Sequence, residues 1–576
     1  MTLRIERRSA VDGDASWGRG LHPVLRRIYA ARGVRGDDDL SLSLSTLLPV
    51  GTLDGVDAAV ELLLAHRGAG RKVLVVGDFD ADGATSSVLI VRALRAWGFA
   101  AVDFLVPNRF EFGYGLTPEI VALGAERAPT LIVTVDNGVA SLAGVAAARA
   151  RGIDVLVTDH HLPGAELPAA NVMVNPNLAG SRFASRTLAG VGVAFYVMVA
   201  LKRALDAAGL VDPAAPPPAE WLDLVALGTV ADVVPLDRNN RVLVTQGLAR
   251  IRAGRCVPGI RALLDIAKRD RADLVAADLG FAIAPRLNAA GRLDDMSIGI
   301  RCLLADREAD ARALAARLDQ LNAERRAIES RMQAEALAAV RQLGTLATPG
   351  SRSRAGVCLY HGEWHQGVVG LVASRVKERV RRPVVAFANG GDGLLRGSAR
   401  SVAGVHVRDV FENIAATHPG LIVRFGGHAM AAGLTLEPAR LDAFAAAFDA
   451  EVARWLGAGA DVDRLDTDGE LDAADLCLAT AEALRRGGPW GAAFPEPVFD
   501  GRFTIERARV VGEKHVKMWV ETAGGARRYD AIAFNLLADS AACLPAGEVH
   551  LVYRLDVNVY QGERRLQLLV DHVLPA

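Results

Sequence analysis

The sequence predicts an α/β protein: a parallel-sheet region, a long connecting helix, a second α/β region and a small C-terminal β-barrel. Three observations predict it. Between about residues 70 and 175, short β-branched-rich runs alternate with helix-patterned stretches, the pattern of a parallel sheet with covered faces. Residues 306–343 are rich in Ala, Leu, Arg and Glu and contain neither Gly nor Pro, as one long helix requires. Past about residue 460, five strand-like runs are separated only by short turns.

The first region reads KVLVVGD (72–78), AVDFLVP (101–107), TLIVTVD (130–136), IDVLVTD (153–159) and NVMVNP (171–176), with helical stretches such as SSVLIVRALRAWG and SLAGVAAARARG between them. A PPP run at 216–218 marks a loop before the helical WLDLVALGTVADV. In the connector, Leu314, Leu318, Leu321, Ile328 and Met332 follow helical spacing. The Gly/Ser/Arg-rich stretch 344–356 reads as a boundary, after which VCLYHG and PVVAFAN form strands around a GLVASRVKERV helix. FDGRFTIERARVVG, HVKMWVET, RRYDAIAFN, EVHLVYRLDVNVY and RRLQLLVDHVL then give a five-stranded antiparallel barrel of OB type.

Composition narrows the class. At 576 residues the chain exceeds what a single core usually supports, so several domains are expected. Lys and Arg number 66 against 67 Asp and Glu, so any polyanion must be met by locally concentrated cations. The basic residues are nearly all Arg, whose planar fork suits phosphate, although genome base composition accounts for the bulk of them. The longest apolar stretch, around Ala189–Leu201, is too short to span a bilayer, and no apolar segment near Met1 serves as a signal peptide. Cys256, Cys302, Cys358, Cys477 and Cys543 are scattered and form no CxxC pair, which fits a reducing cytoplasm. His365 is expected to be structural, and His22, His66, His418 and His572 to lie on the surface.

Four segments carry chemistry: GDFDADG with Asp78, Asp80 and Asp82; VDNG with Asp136; TDHH with Asp159, His160 and His161; and TVADVVPL with Asp232. The first three each end an apolar strand. In an open α/β sheet ligands bind outside the carboxyl ends of the strands, so these acids are expected to converge. Converging carboxylates repel unless cations neutralise them. Hard divalent ions suit a carboxylate and imidazole set, and Mn²⁺ or Mg²⁺ fits mixed oxygen and nitrogen ligation. Two such ions about 3.5–4 Å apart can activate water and stabilise a phosphoryl group in transfer. An EF-hand loop also opens DxDxDG, but its twelfth position needs Glu and here is Leu89. An aspartyl-phosphate phosphatase leaves the paired histidines unexplained. Turn chemistry accounts for any single Asp–Gly, but poorly for four such segments in one chain.

At these residues a family resemblance emerges. GDFDADGATSS, VTVDNG, TDHH and ALGTVADVVPLD resemble the four motifs of the DHH phosphoesterase superfamily. VPNRFEFGYGL (106–116), AGVGVAF (189–195), APRLNAAGRLDD (284–295), EWHQGVVGLVASRVKER (363–379), GSARS (397–401) and FGGHAMAAG (425–433) are similar to its RecJ branch. The resemblance implies a DHH catalytic domain over 51–304 after an N-terminal segment 1–50, a connector helix over 305–345, a DHHA1 substrate-binding domain over 346–459 and an OB-like nucleic-acid-binding domain over 460–576. It implies a 5′→3′ exonuclease on single-stranded DNA that releases 5′-mononucleotides in recombination and repair, with single-strand-binding protein and a helicase as partners and no membrane.

The resemblance also implies roles. Asp80 and Asp136 would hold one metal ion. Asp82, Asp136, His160 and Asp232 would hold another, with Asp136 bridging and Asp78 supplementary. His161 would face the scissile phosphate and Asp159 would orient the imidazole. Ser398, Arg400 and Arg109 would take a 5′-phosphate; the family usually has Gly where this chain has Ala399. Gly426, Gly427 and His428 resemble a substrate loop. Arg286, Asn288 and Arg292 would contact the strand further along, and Tyr114 would stack on a base. In the barrel, Arg502, Arg507, Arg509, Lys514, Lys517, Arg527 and Arg528 supply charge, while Trp519, Tyr529 and Tyr553 are candidates for stacking. Two other readings remain: a DHH phosphoesterase for pyrophosphate, cyclic dinucleotides or short oligonucleotides, whose relatives generally lack the barrel, and a non-catalytic replication scaffold, whose relatives tend to lose the metal carboxylates.

Overall fold

The computed structural model describes residues 4–9, 17–107, 115–342, 354–457, 464–512, 514–522, 525, 527–537 and 544–576. Arg109, Tyr114, Cys543 and most of the 344–356 boundary lie outside them. The chain divides into two compact units. One contains 5–291, 295–318 and 465–576; the other contains 1–4, 292–294 and 319–464.

In the larger unit, β1 (Lys72–Gly77), α1 (Ala81–Ala96), β2 (Ala101–Leu105), α2 (Pro118–Ala125), β3 (Leu131–Val135), α3 (Leu142–Ala150), β4 (Asp154–Thr158) and β5 (Val172–Val174) alternate as the sequence predicts. The strands form a wholly parallel sheet in the order β2-β1-β3-β4-β5. Helices cover the faces, so β1 and β3 are rich in Val, Leu and Ile and, Lys72 apart, buried on both sides. Helices α4 (Gly190–Ala207) and α5 (Leu222–Ala231) pack on α1. That encloses α1 nearly all round, which is why its first half is built from small residues, ADGATSS.

His66 corrects one expectation. It is 1% exposed, not superficial, and its ring nitrogens reach Thr130 Oγ1 at 3.1 Å and Asp154 Oδ2 at 3.0 Å. The ring ties the helix Val56–Gly68 to the amino-terminal ends of β3 and β4, a role that single-residue hydropathy does not reveal.

The connector helix α6 runs over Glu308–Gln342. Leu318 and Leu321 are buried as their spacing predicts, and Met332, Ala336 and Val340 join a core in the smaller unit. There, β6 (Val357–Tyr360), α7 (Val369–Val380), β7 (Val384–Asn389), β8 (Leu395–Arg400), α8 (Val407–Thr417), β9 (Arg424–Gly427), β10 (Ala431–Leu436) and α9 (Leu441–Leu456) form a mixed sheet ordered β9-β10-β8-β7-β6. Only β6 and β7 pair in parallel. Phe387, Phe411, Phe444 and Phe448 fill its core.

The C-terminal strands β11 (Phe499–Val511), β12 (His515–Thr522), β13 (Arg528–Ala533), β14 (Gly547–Tyr560) and β15 (Glu563–Pro575) close into a barrel ordered β11-β12-β13-β15-β14. The predicted strands are all present, but the barrel is not fully antiparallel. β13 and β15 pair in parallel through Ala531↔Leu568 and Ile532↔Leu569. An odd number of strands cannot alternate direction all the way round a closed ring, so five strands require at least one parallel pair. The stretch before the barrel and the start of β11 are held by the N-terminal segment. Arg32 Nη1 bonds Asp468 Oδ1 at 2.7 Å, Arg7 Nη2 bonds Asp500 Oδ2 at 2.7 Å, and Tyr29 donates to the Gly487 carbonyl at 2.6 Å.

Candidate metal centre

Strand order reverses between β1 and β3, the point at which such sheets open a crevice at their carboxyl ends. Asp78 follows β1 and Asp136 follows β3. Asn137 lines this opening: its Nδ2 donates to the carbonyls of Val76 at 3.1 Å and Val135 at 2.8 Å, fixing the two strand ends together.

The chain holds each acid by backbone donors. Asp80 caps α1, its Oδ1 accepting from the amides of Asp82 at 2.9 Å and Gly83 at 3.0 Å. Asp82 sits in the first turn of α1 and meets the N-terminus of α4, accepting from the Gly190 amide at 2.6 Å and the Val191 amide at 3.0 Å. A carboxylate there gains from the helix dipole. Glycine is required at that approach: a Cβ on Gly190 would lie 2.6 Å from Asp136 Cβ. Two non-glycine residues at the site have left-handed backbone, Asp136 at φ 61° and Val233, next to Asp232, at φ 60°. Such strain collects where geometry serves chemistry.

Asp159 organises the histidines. Its Oδ1 accepts from the amides of His160 at 2.7 Å and His161 at 3.1 Å and contacts His161 Nδ1 at 2.7 Å, while Oδ2 accepts from the Val139 amide at 2.9 Å. Asn177 and Asn175 donate to the carbonyls of His160 at 2.6 Å and His161 at 2.9 Å. His160 Nε2 lies 3.1 Å from Asp136 Oδ1 and 3.4 Å from Asp232 Oδ2.

The ligand-type atoms form three overlapping groups: Asp78, Asp80 and Asp136; Asp82, His160 and Asp232; and Asp136, His160 and His161. Within each, one atom per residue lies within 4.8 Å of the others. Asp78 thus stands within reach of Asp80 and Asp136, and His161 also comes within ligand range. Burial, then the charge of Asp80, pushes Asp82 up to about 7 against the pull of the Val191 and Gly190 amides. Burial and neighbouring carboxylates, Asp82 first, also raise Asp136 and Asp232. For His161, burial opposes charge, but the hydrogen bond and charge of Asp159 win and lift it to about 9. Asp159 is held below its usual range: burial opposes this, and His161 and the Val139 amide outweigh it. Asp232 Oδ2 is buried and takes part in no hydrogen bond. Five carboxylates and an imidazole, crowded and desolvated, fit hard divalent cations.

The residues expected to bind substrate divide. Asn288 Oδ1 accepts from the Ala81 amide at 2.7 Å, so it braces the Asp80–Asp82 turn. Arg286 Nη1 bonds the Ala282 carbonyl at 2.5 Å. In the smaller unit, Arg292 Nη1 donates to the Gly367 carbonyl at 3.1 Å. Arg400 Nη1 bonds Ser398 Oγ at 3.1 Å and the Ala399 carbonyl at 2.7 Å. A Cβ on Gly370, in the first turn of α7, would lie 2.9 Å from both Ser398 Oγ and Arg400 Nη2, so this pair faces a helix N-terminus. Gly426 and Gly427 lie in the edge strand β9, not a loop, and the His428 amide closes its turn onto the Ala431 carbonyl at 2.8 Å. In the barrel Tyr529 and Tyr553 are buried and are not available for stacking. Trp519 is half-buried, with the cations of Arg507, Arg509 and Lys517 at 5.4, 5.5 and 5.6 Å from its ring.

Comparison with known proteins agrees with this architecture. Family models match in three places: the DHH family N-terminal domain over 72–229, the DHHA1 domain over 354–454 and the RecJ OB domain over 467–572. The single-stranded-DNA-specific exonuclease RecJ of Dickeya dadantii is 55% identical over 566 residues, covering 96% of each chain. That of Escherichia coli is 52% identical over 578 residues, covering 99% of each. The crystal structure of Thermus thermophilus RecJ in complex with Mn²⁺ superposes with a TM-score of 0.81 at 32% identity, covering 100% of this chain and 80% of that one.

Proposed function

This chain belongs to the RecJ family of DHH proteins, and from that premise we propose that it is a divalent-metal-dependent exonuclease degrading single-stranded DNA from the 5′ end to 5′-mononucleotides. The observation that carries the reading is the convergence of Asp78, Asp80 and Asp136 with Asp82, His160 and Asp232 at the sheet's switch point.

Asp80 and Asp136, with Asp78, would hold one ion; Asp82, Asp136, His160 and Asp232 would hold the other. Bound there, two Mn²⁺ or Mg²⁺ ions supply a Lewis-acid clamp on the phosphoryl oxygens and acidify water. The protein's own part is orientation. Asp159 fixes the His161 ring through Nδ1, so that Nε2 would face the scissile phosphate. Ser398 and Arg400, at the α7 N-terminus, would receive the 5′-phosphate together with Arg109, and Gly427 and His428 would border it. Trp519 and its three cations would engage the strand at the barrel. Single-strand-binding protein and a helicase are the expected partners, and the cytoplasm the expected compartment. Among the described residues no helix is long and apolar enough to cross a membrane.

The test is digestion of 5′-labelled and 3′-labelled single strands with Mn²⁺ or Mg²⁺. Immediate release of labelled mononucleotide from the 5′-labelled strand, with progressive shortening of the 3′-labelled one, is expected. The reverse pattern, or cleavage of dinucleotides in preference to long strands, would favour a different polarity or a small-substrate phosphoesterase.

A further inference from the structure

Phe281 is 85% exposed, more than any other large apolar side chain among the described residues. An exposed Phe alone needs no explanation; its setting does. It lies in a π-helical turn, Leu279–Ile283, that runs into the helix Ala284–Leu293. Its neighbours Leu279, Ala282 and Ile283 are buried, so the turn is anchored and displays one ring. π turns often mark functional positions.

The turn stands beside the acid cluster. A Cβ on Gly280 would lie 3.2 Å from Val230 Cγ1, two residues before Asp232. Further along the same segment, Asn288 caps the Ala81 amide between Asp80 and Asp82, and a Cβ on Gly291 would lie 1.9 Å from the Phe79 carbonyl oxygen. Residues 280–291 therefore pass from the Asp232 end of the site to the Asp78–Asp82 turn. On the same segment, the Arg286 guanidinium is held at the carbonyl of Ala282, the residue after Phe281.

An exposed aromatic face on a segment that borders the acid cluster offers a stacking surface for one base of a strand bound there. We propose that Phe281 is a positioning residue on which a base of the bound single strand stacks, setting the register of the backbone at the acid cluster. This rests on the nuclease reading above. A single ring offers too little area for a protein partner.

The test uses single strands carrying one abasic site at successive positions from the 5′ end, with Mn²⁺. Stacking on an aromatic is worth about ten-fold or more in binding per base. The full-length wild-type protein is expected to lose about that factor in kcat/KM when the abasic site falls at one particular position. Phe281→Ala should lose the same factor on the intact strand, mostly in KM, and be indifferent to the abasic site. Phe281→Trp should restore both. Discrimination by Phe281→Ala equal to wild type, or an unchanged intact-strand kcat/KM, would overturn the proposal. Failure of the wild-type protein to hydrolyse any strand would instead overturn the nuclease reading, and the stacking role with it.

Discussion

The sheet edge and the barrel face solve opposite charge problems within one chain. Around the carboxyl ends of β1 and β3, buried Asp82, Asp136 and Asp232 come together, and their proton affinities rise because burial and mutual repulsion disfavour ionisation. On β11 and β12, Arg507, Arg509 and Lys517 surround a half-buried Trp519. A formal net charge of −1 therefore conceals two segregated clusters, one of buried carboxylates and the other of cations around an aromatic ring. The first should depend on metal and pH, the second on ionic strength.

The largest effects should come from breaking the acid side. Asp82→Asn, Asp136→Asn or His160→Ala is expected to lower nucleotide release at least a hundred-fold while the circular dichroism spectrum is kept. Near wild-type turnover in any one of them would remove that residue from the centre. Next comes pH. Asp82, Asp136 and Asp232 bind their protons more tightly folded than unfolded, so rising pH favours the unfolded chain. Metal-free protein should be most stable near the ordinary carboxylate pKa of about 4 and lose stability as pH climbs through about 7, the value for Asp82. Mn²⁺ should then raise Tm more at pH 8 than at pH 5.5. Thermal melts with chelator and with metal check this, and an equal rise at both pH values would contradict it.

Smaller effects are expected from the cations. Arg400→Ala should reduce the preference for a 5′-phosphorylated over a 5′-hydroxyl strand by about ten-fold, the worth of a charge-assisted hydrogen bond. An unchanged kcat/KM ratio would move the end pocket elsewhere. Trp519→Ala should raise KM for long strands several-fold with little change on short ones. Substitution is a cleaner probe than deleting the barrel, because Arg7, Tyr29 and Arg32 bind residues 468–500 and would lose their partners.

Much of the acid site is legible in the sequence because a parallel sheet gathers strand ends, and each strand announces itself by apolar β-branched runs before its Asp. What holds the acids is less visible. The Gly190 and Val191 amides act through the backbone, and the motif AGVGVAF signals only that small residues are needed there. Asn137 looks like an ordinary turn residue until β1 and β3 are seen side by side. In the smaller unit, β8 and β9 escape sequence reading because the buried positions of LRGSAR are Leu, Gly and Ala, a weak apolar signal, and RFGG is a four-residue run half made of Gly. Phe281 is hidden for another reason: hydropathy assigns an apolar residue in an apolar helix to the core, and only the turn's packing shows it facing outward.

The most direct test of the central claim is a Mn²⁺ titration followed by electron paramagnetic resonance. The account predicts two ions per chain whose spins couple through the bridging Asp136, with the coupling lost in Asp136→Asn and one ion lost in Asp82→Asn. A single uncoupled ion in the wild-type protein, or two ions that still couple without Asp136, would contradict it.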